Sequence, residues 1–266
     1  MTDHLHNPGV KLLNMPSGPA PDVFTVIVVG VPRSGTTMAA RVMEELGFPL
    51  FADEADGARE DVALAALLEG RNKAGLDTLI RTRNAAQLRW GFKRPAAYTQ
   101  LVRTLHLFRN PRLIASFGDP VSVAMRREVS MQSDFSKQLR GAISQMRRLD
   151  KFLKRQSCPI LMFSHGKAMQ DPAGYVDQIA AFCGIIPDAA TRARAISAIT
   201  SRPEEYLRSS HVTYSGQFFG IRDGRAVGWA KRNPVQPDLR VHLMSHGRKL
   251  GSDAPNRTLP GIEGPH

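Results

Sequence analysis

Short runs of consecutive apolar residues, rich in β-branched side chains, recur along the first two thirds of the chain. They predict β-strands over residues 24–29, 48–51, 89–93, 113–117 and 159–163. Because apolar residues occupy successive positions instead of alternating with polar ones, these strands are typical of a parallel sheet that is covered on both faces.

Segments in which apolar residues recur every three or four positions lie between these runs. They predict helices over residues 36–46, 60–69, 73–88, 96–108, 120–156 with a break near Ser133-Asp134, 172–183, 188–200 and 203–208. Strands that alternate with helices in this way are joined by right-handed crossovers. We therefore predict an α/β fold over residues 22–212, in which an open parallel sheet and its helices form three layers.

The two ends of the chain differ in composition from this middle part. Residues 1–21 are rich in Pro, Gly, Asn and His, and we predict a mobile arm there. From residue 213 to residue 266 glycine and proline are frequent and the helical periodicity disappears. This stretch predicts a small β module of two to four strands, with turns at Asp223-Gly224 and His246-Gly247. Trp229 either fills the core of this module or stacks on a sugar.

The chain carries a large positive charge. Its 266 residues have a net charge of +12 and a pI near 10.3. Such a surface attracts anionic nucleotides, acidic glycans, nucleic acid or anionic membranes. The basic residues are spread along the chain, and four Tyr and two Trp offer little base stacking, which argues against nucleic acid. The arginine-rich stretches at 81–83, 109–112 and 147–148 are either solvated surface or, alternatively, a track for an acidic glycan.

The sequence contains no signal for secretion, membrane insertion or metal binding. No N-terminal segment combines basic residues with an apolar core, and the longest apolar run, 23–31, is far shorter than the roughly 20 residues that span a bilayer. Cys158 and Cys183 do not have the spacing of metal ligands, and no His or Cys cluster does. We predict a cytoplasmic protein with reduced thiols and no metal.

The segment that follows the first predicted strand has the composition of an anion-binding loop. Gly30 and Gly35 are five positions apart, and a helix pattern begins directly after them. Arg33 adds a positive charge between the glycines. This glycine loop, residues 30–37, resembles the nucleotide-binding signature Gly-x4-Gly-Lys-[Ser/Thr], but a threonine replaces the lysine. Hydroxyl donors are supplied by three residues: Ser34, Thr36 and Thr37.

The segment Pro32-Arg33-Ser34-Gly35-Thr36-Thr37 resembles the 5′-phosphosulfate loop of sulfotransferases, in particular of bacterial ones. Other segments resemble elements of that family in the same order along the chain: 57–61, 90–95, 164–172 and 179–184. Of these, 90–95 reads Trp-Gly-Phe-Lys-Arg-Pro and is similar to the family's Trp-Gly-x-Lys-Asp-Pro. The similarity spans residues 24–186.

The resemblance implies a P-loop-like fold and 3′-phosphoadenosine-5′-phosphosulfate as the sulfonate donor. It implies that the donor is bound by Pro32, Arg33, Ser34, Gly35, Thr36 and Thr37. The segment 220–230, which contains Gly-Trp-Ala, resembles a β module that accompanies some bacterial surface-polysaccharide enzymes, and this implies a carbohydrate or lipid-linked sugar as the acceptor. The implied reaction moves a sulfonate to a hydroxyl or amine of a glycan or glycolipid.

The chain departs from the family where the 3′-phosphate of the donor is bound. Sulfotransferases have Arg-x-Pro and a serine six residues after the proline, whereas here Gly118 replaces the arginine and Arg126 replaces the serine. Our hypothesis is that Arg126 or Arg127 meets the 3′-phosphate, and we assign Asp119, at the start of the helix, to the same nucleotide-binding site. The alternative is that the protein binds another nucleotide, or none.

Three residues are predicted to act in catalysis. Arg33 stabilises the sulfonate and the leaving phosphate, and Lys93 reaches the same charge from the third strand. Glu60 is the first candidate for the general base, with Asp61 behind it. His106 and His165 are further candidates.

Two other functions remain open from the sequence. A Mg-dependent nucleotide hydrolase or kinase would use Asp119, after the strand at 113–117, to bind the metal. A non-catalytic protein would keep the anion loop and bind nucleotide or glycan within polysaccharide machinery. The missing loop lysine argues against the first, and Gly118 with Arg126 favours the second.

Overall fold

The computed structural model describes residues 7–18, 21–52, 59–131 and 133–200, together with the backbone of four strands between residues 213 and 253. Contacts divide the chain into two compact units. The first runs to Arg127 and resumes over Ser133–Arg202, and the second combines Glu128–Gln132 with Pro203–His266. Each unit is described separately below.

A five-stranded sheet forms the centre of the first unit. Its strands are β1 (Val10–Leu13), β2 (Phe24–Gly30), β3 (Arg89–Lys93), β4 (Pro111–Phe117) and β5 (Ile160–Ser164), in the order β1-β5-β4-β2-β3. β2 to β5 are parallel, and β1 is antiparallel to β5. Four of the five predicted strands, those at 24–29, 89–93, 113–117 and 159–163, are confirmed to within two residues at each end.

Nine α-helices lie in the described part of the chain. They are α1 (Thr36–Glu45), α2 (Val62–Glu69), α3 (Lys73–Ala86), α4 (Tyr98–Thr104), α5 (Pro120–Met131), α6 (Phe135–Leu153), α7 (His165–Gln170), α8 (Pro172–Cys183) and α9 (Ala189–Thr200). The predicted break near Ser133-Asp134 is confirmed, because the Asp134 carboxylate accepts the Lys137 N–H and caps α6.

The helices cover both faces of the sheet, as the continuous apolar runs predict. In β2 successive side chains point to opposite faces, so Val26 and Val28 pack with α1, α8 and α9. Ile27 and Val29 pack on the other side with α2, α3, α4 and α6. The chain therefore has an α/β fold of three layers around a mostly parallel sheet.

The structure corrects three local predictions. Residues 10–13 are not a free arm, because β1 pairs with β5 along the edge of the sheet. Residues 48–51 do not form a strand, since Pro49 interrupts the segment and Leu50 makes one isolated bridge to Gly91. A short helix, α7, occupies the segment after β5 for which no helix was predicted.

The second unit contains two antiparallel hairpins, which agree with the predicted strands. β6 (Thr213–Arg222) pairs with β7 (Arg225–Asn233), and β8 (Val241–Ser245) pairs with β9 (Arg248–Asp253). Trp229 lies opposite Gln217 in the first hairpin. The predicted turn residues Asp223-Gly224 and His246-Gly247 and the predicted helix at 203–208 lie outside the described residues.

Candidate functional site

The glycine loop lies at the carboxyl edge of the parallel sheet. The loop follows β2, which has β4 on one side and β3 on the other. The chain leaves all four parallel strands at this same edge, so the segments after β3, β4 and β5 lie on the same side of the sheet as the loop. Ligands of α/β proteins bind at this edge, where the strand order reverses.

The loop folds tightly over the end of β2 and presents an uncapped helix. A Cβ on Gly30 would stand 2.7 Å from Cγ2 of Thr36 and 2.9 Å from Oγ of Ser34, so only glycine fits there. Gly35 has φ of 101° and precedes α1. Among the described residues no side chain caps α1, and its first turn holds no acid. The first backbone N–H groups of α1 therefore point to the open end of the loop, where an anion would be favoured.

Ser34 fixes the loop to β4. Its Oγ–H donates to the Ser116 carbonyl at 3.1 Å, and the Ser116 hydroxyl donates back to the Ser34 carbonyl. The Ser34 side chain is fully buried. In this structure the hydroxyl proton is given to β4, so the predicted role of Ser34 as an anion donor would require this bond to be exchanged for one to the ligand.

Gly118 allows the chain after β4 to touch the loop. A Cβ on residue 118 would stand 3.0 Å from Cα of Ser34 and 3.3 Å from Cγ2 of Val123. The first contact is to backbone and cannot move aside as a flexible side chain would. The structure therefore gives a steric reason for glycine at the position where the resemblance leads one to expect arginine.

Arg33 adopts a backbone conformation that favours glycine. Its φ is 77°, in the left-handed region, which costs a non-glycine residue about 1 kcal/mol or more. Strain of this kind concentrates at ligand sites, where the surrounding structure holds it in place. Arg33 is half-buried as a residue. Its guanidinium lies near that of Arg127, since burial lowers the pKa of Arg127 and the charge of Arg33 lowers it further.

Arg127, predicted to bind nucleotide, is bonded directly to the loop. Its Nη2 donates to the Pro32 carbonyl at 3.2 Å and to Oε1 of Gln145 at 2.7 Å. Arg126 is exposed. Asp119, also assigned to the predicted nucleotide site, accepts the Ser122 N–H at 2.7 Å and caps α5. This capping role leaves Asp119 poorly suited to the metal-binding role of the Mg-dependent alternative.

His165 packs against the glycine loop. A Cβ on Gly35 would stand 2.3 Å from Cδ2 of His165, so the imidazole ring lies directly on the loop backbone. Burial lowers the pKa of His165, and the positive charge of Arg126 lowers it further. The ring is therefore neutral at pH 7, and Arg126 lies within electrostatic range of it.

Glu60 and Lys93, two of the predicted catalytic residues, form an ion pair. Lys93 Nζ donates to Oε1 of Glu60 at 2.9 Å, and Arg94 donates to the other carboxylate oxygen. Burial is the largest influence and raises the pKa of Glu60, but the charges and hydrogen bonds of Lys93 and Arg94 together outweigh it, so that the pKa lies below its ordinary value. The Lys93 side chain is 1% exposed, and Glu60 holds its charge in place.

Asp61 and His106 do not serve as bases in this arrangement. Asp61 is buried, caps α2 through the Leu64 N–H at 2.9 Å and pairs with both terminal nitrogens of Arg83. Arg83 also stacks 4.3 Å over the ring of Phe51. His106 lines a cavity of about 690 Å³ with Pro111 and Pro159, at the amino ends of β4 and β5. It thus lies at the opposite edge of the sheet from the loop.

Thiol chemistry has no support at either cysteine. Burial raises the pKa of Cys158 to about 11 and that of Cys183 to about 12, so both remain protonated thiols. Within the described residues no three His, Cys, Asp or Glu side chains are grouped as metal ligands. No helix in the same part of the chain is long and apolar enough to cross a membrane.

Sequence reasoning missed two residues that hold the loop, Ser116 and Gln145. Ser116 is a polar residue in a buried apolar strand, and this contrast is a signal that it needs a partner. Gln145 accepts a hydrogen bond from Arg127, which lies 18 positions earlier in the sequence, and no local sequence pattern predicts such a contact.

The structure is similar to solved structures that include two sulfotransferases. Sulfotransferase STF9 from Mycobacterium avium matches with a TM-score of 0.44 and 16% identity, covering 72% of this chain and 75% of that one. The sulfotransferase domain of the Synechococcus PCC 7002 olefin synthase matches with a TM-score of 0.45 and 17% identity, covering 73% and 82%. Retinol dehydratase, in a complex with retinol and PAP, matches with a TM-score of 0.41 and 15% identity, covering 74% and 68%.

No protein-family model matches the chain, and no curated protein matches it in sequence. TM-scores below 0.5 do not by themselves assign an activity. The function must therefore be sought in the geometry of the glycine loop.

Proposed function

We propose that the chain is a cytoplasmic sulfotransferase that moves a sulfonate from 3′-phosphoadenosine-5′-phosphosulfate to a hydroxyl or amine of a glycan or glycolipid. The observation that carries the proposal is the glycine loop itself, where a strained arginine stands beside an uncapped helix N-terminus. The order of family-like segments along the sequence supports the same activity.

The residues of the loop fit a phosphosulfate. Gly30 and Gly35 have no side chain, so the backbone of the glycine loop can fold tightly. The first N–H groups of α1 are then placed to donate to phosphate or sulfonate oxygens of a ligand bound in the loop. The Arg33 guanidinium matches two oxygens of one anion. Thr36 and Thr37 begin α1 beside it. No carboxylate lies within residues 30–37 to repel the ligand.

The protein's part in the reaction is to position and to neutralise charge. The bound donor supplies an activated sulfonate, and charge gathers on peripheral oxygens as the transfer proceeds. Arg33 and the helix N–H groups meet that charge from the loop. Lys93 meets it from β3, in an orientation fixed by its bond to Glu60.

Glu60 is the proposed proton acceptor. Its pKa lies below the ordinary value, so it is ionised at neutral pH and ready to take a proton from the acceptor group. Its low basicity suits a loose transition state, in which the attacking oxygen loses its proton late. The second candidate is His165, whose neutral ring lies against Gly35.

Arg126 and Arg127 are the proposed contacts for the 3′-phosphate. Glycine at residue 118 carries no charge, and a side chain there would press on the Ser34 backbone, so the positive charge has to come from another position. Arg127 is bonded to the loop at Pro32, and Arg126 is exposed one residue earlier on α5. A charge-assisted pair there would contribute about 1.5–3 kcal/mol to binding.

A transfer assay tests this function. The purified chain would be incubated with 3′-phosphoadenosine-5′-phosphosulfate and a panel of neutral and acidic oligosaccharides and glycolipids, and release of adenosine 3′,5′-bisphosphate would be measured. We expect acceptor-dependent release with at least one glycan. Binding of the bisphosphate without transfer to any acceptor would favour the non-catalytic alternative, and Mg-stimulated ATP turnover would favour the hydrolase.

A further inference from the structure

One face of α6 carries a line of positive charges that the transfer site does not use. It is formed by Lys137, Arg140, Arg147, Arg148 and Lys151. At 100° per residue these side chains fall within an arc of about 100°, and they extend over about 21 Å of the helix. We refer to these five residues as the cationic face. The opposite side of α6 is buried through Leu149, Phe152 and Leu153.

The cationic face is exposed and its charges are not neutralised within the described residues. All five side chains are exposed, and no ion pair in this part of the chain includes any of them. Asp150 is the acid of α6, and it pairs with Lys154 at 2.9 Å. Five like charges on neighbouring turns repel one another, and an anion bound along them would relieve that repulsion.

The helix that carries this face is bonded to the glycine loop. Gln145 of α6 accepts from Arg127, which also donates to the Pro32 carbonyl. The Tyr98 hydroxyl donates to the Gln145 carbonyl at 3.4 Å. Burial raises the pKa of Tyr98, while the charges of Arg148 and Arg127 both oppose the rise, so both guanidinium groups lie near one hydroxyl.

We propose that the cationic face of α6 binds an acidic glycan, a chain with repeated carboxylates or sulfates, and that one end of this chain lies at the glycine loop. The inference rests on the proposed sulfonate transfer insofar as it makes the acidic glycan the acceptor. The binding itself follows from the charge, the length and the position of the face.

The chemistry of the face favours a glycan over the other polyanions that a basic protein meets. None of its residues is aromatic, so it offers no platform for stacking bases. A membrane-surface helix inserts its apolar side into lipid, and here that side is buried in the core. Arginine forks match carboxylate and sulfate oxygens in pairs.

A binding experiment with matched triple variants tests the proposal. The full chain would be titrated with three fluorescent oligosaccharides of equal length: a heparin fragment, a hyaluronan fragment and a neutral dextran. The test variant is Arg140→Gln/Arg147→Gln/Lys151→Gln. The control is Arg71→Gln/Lys73→Gln/Arg103→Gln, which removes the same charge from exposed positions on α3, α4 and the turn before α3.

We expect the test variant to weaken binding of both acidic fragments by at least about tenfold, with little change in the control and with weak dextran binding throughout. Binding of adenosine 3′,5′-bisphosphate should be the same in all three proteins, which shows that they are folded. Equal loss in test and control variants would overturn the proposal. So would tighter binding of duplex DNA or of anionic phosphatidylserine vesicles that depends on the same three residues.

The same titrations separate this inference from the proposed transfer activity. The bisphosphate could fail to bind the wild-type protein while binding of the acidic fragments still depends on the cationic face. That result would support the glycan site and contradict the proposed transfer activity. If the bisphosphate binds and the fragments do not, the cationic face is solvated surface and the acceptor is of another kind.

Discussion

Gly118 and Ser34 are in direct contact, because a Cβ on residue 118 would stand 3.0 Å from Cα of Ser34. Ser34 is also tied to β4 through its exchange of hydrogen bonds with Ser116. The glycine loop is therefore held from the side of β4 by backbone contact and by two buried hydroxyls. A side chain at residue 118, such as the arginine that the resemblance to sulfotransferases would place there, requires the Ser34 backbone to shift by a few tenths of an ångström.

A side chain at residue 118 should displace the loop. We expect Gly118→Ala to lower the free energy of unfolding by about 1–3 kcal/mol and to weaken bisphosphate binding by about tenfold, since the Ser34 backbone must move. Urea unfolding and calorimetric titration would measure the two effects. The matched control is Gly141→Ala in α6, where nothing lies within 4 Å of the new Cβ. Alanine there should leave binding unchanged and stabilise the helix by about 0.5–1 kcal/mol. Equal behaviour of the two variants would show that the contact is not restrictive.

The backbone of Arg33 should make stability and binding change in opposite directions. Glycine accepts φ of 77° without strain, so Arg33→Gly is expected to keep or raise the thermal midpoint. The same change removes the guanidinium, and bisphosphate affinity should fall by at least about tenfold. Thermal unfolding and titration of one preparation would record both. A variant that loses stability without losing affinity would contradict this view of the loop.

Replacement of the Glu60 carboxylate should remove the charged partner of the buried Lys93. We expect Glu60→Gln to lower the free energy of unfolding by about 3 kcal/mol at pH 7 and kcat/KM by about a hundredfold. Because the pKa of Glu60 is lowered by folding, its contribution to stability is present above the pKa of the unfolded chain and is lost as the pH falls through the folded value.

Glu69→Gln is the control for this change, because it removes an exposed partner of Arg94 and leaves Lys93 untouched. Its effect on stability should stay below about 1 kcal/mol, and turnover should be unchanged. If Glu69→Gln and Glu60→Gln are equally harmful, the pair with Lys93 has no special role.

The dependence of turnover on pH should identify the proton acceptor. With Glu60 as the base, kcat/KM should stay level from pH 8 to about pH 5, because the carboxylate is ionised throughout. With His165 as the base, kcat/KM would fall in the acid range as the ring gains a proton, at a pH below the ordinary histidine value because burial lowers the pKa of this ring. We expect the level profile, and we expect His165→Asn to retain it. A fall that is abolished in His165→Asn would assign the role to the histidine.

The sheet could be predicted because its information is local. Buried parallel strands need apolar side chains on both faces, and the six residues 24–29 are enough to predict such a strand. The glycine loop could be predicted for the same reason, because its two glycines are required locally. A Cβ on Gly30 would meet neighbouring atoms at under 3 Å, and Gly35 has a left-handed backbone. The strand β1 was missed because its four residues stand among Pro, Gly and Asn and acquire their conformation by pairing with β5.

The roles of individual polar residues could not be predicted in the same way. Asp61 forms an ion pair with Arg83, 22 positions later, and is therefore not available as a base. The Ser34 hydroxyl donates to the Ser116 carbonyl, 82 positions later. Such contacts depend on how strands and helices meet, and the residue types alone are compatible with either role. His165 shows the converse, because its place directly after a predicted strand made it a candidate, and the end of β5 brings its ring to Gly35.

Calorimetric titration with adenosine 3′,5′-bisphosphate tests the central claim that the glycine loop is an anion site centred on Arg33. We predict micromolar to millimolar binding by the wild-type chain, a loss of at least about tenfold in Arg33→Ala, and no change in Arg103→Ala, which removes an exposed arginine from α4. Absence of binding to the wild-type chain, or equal binding by Arg33→Ala, would contradict the account.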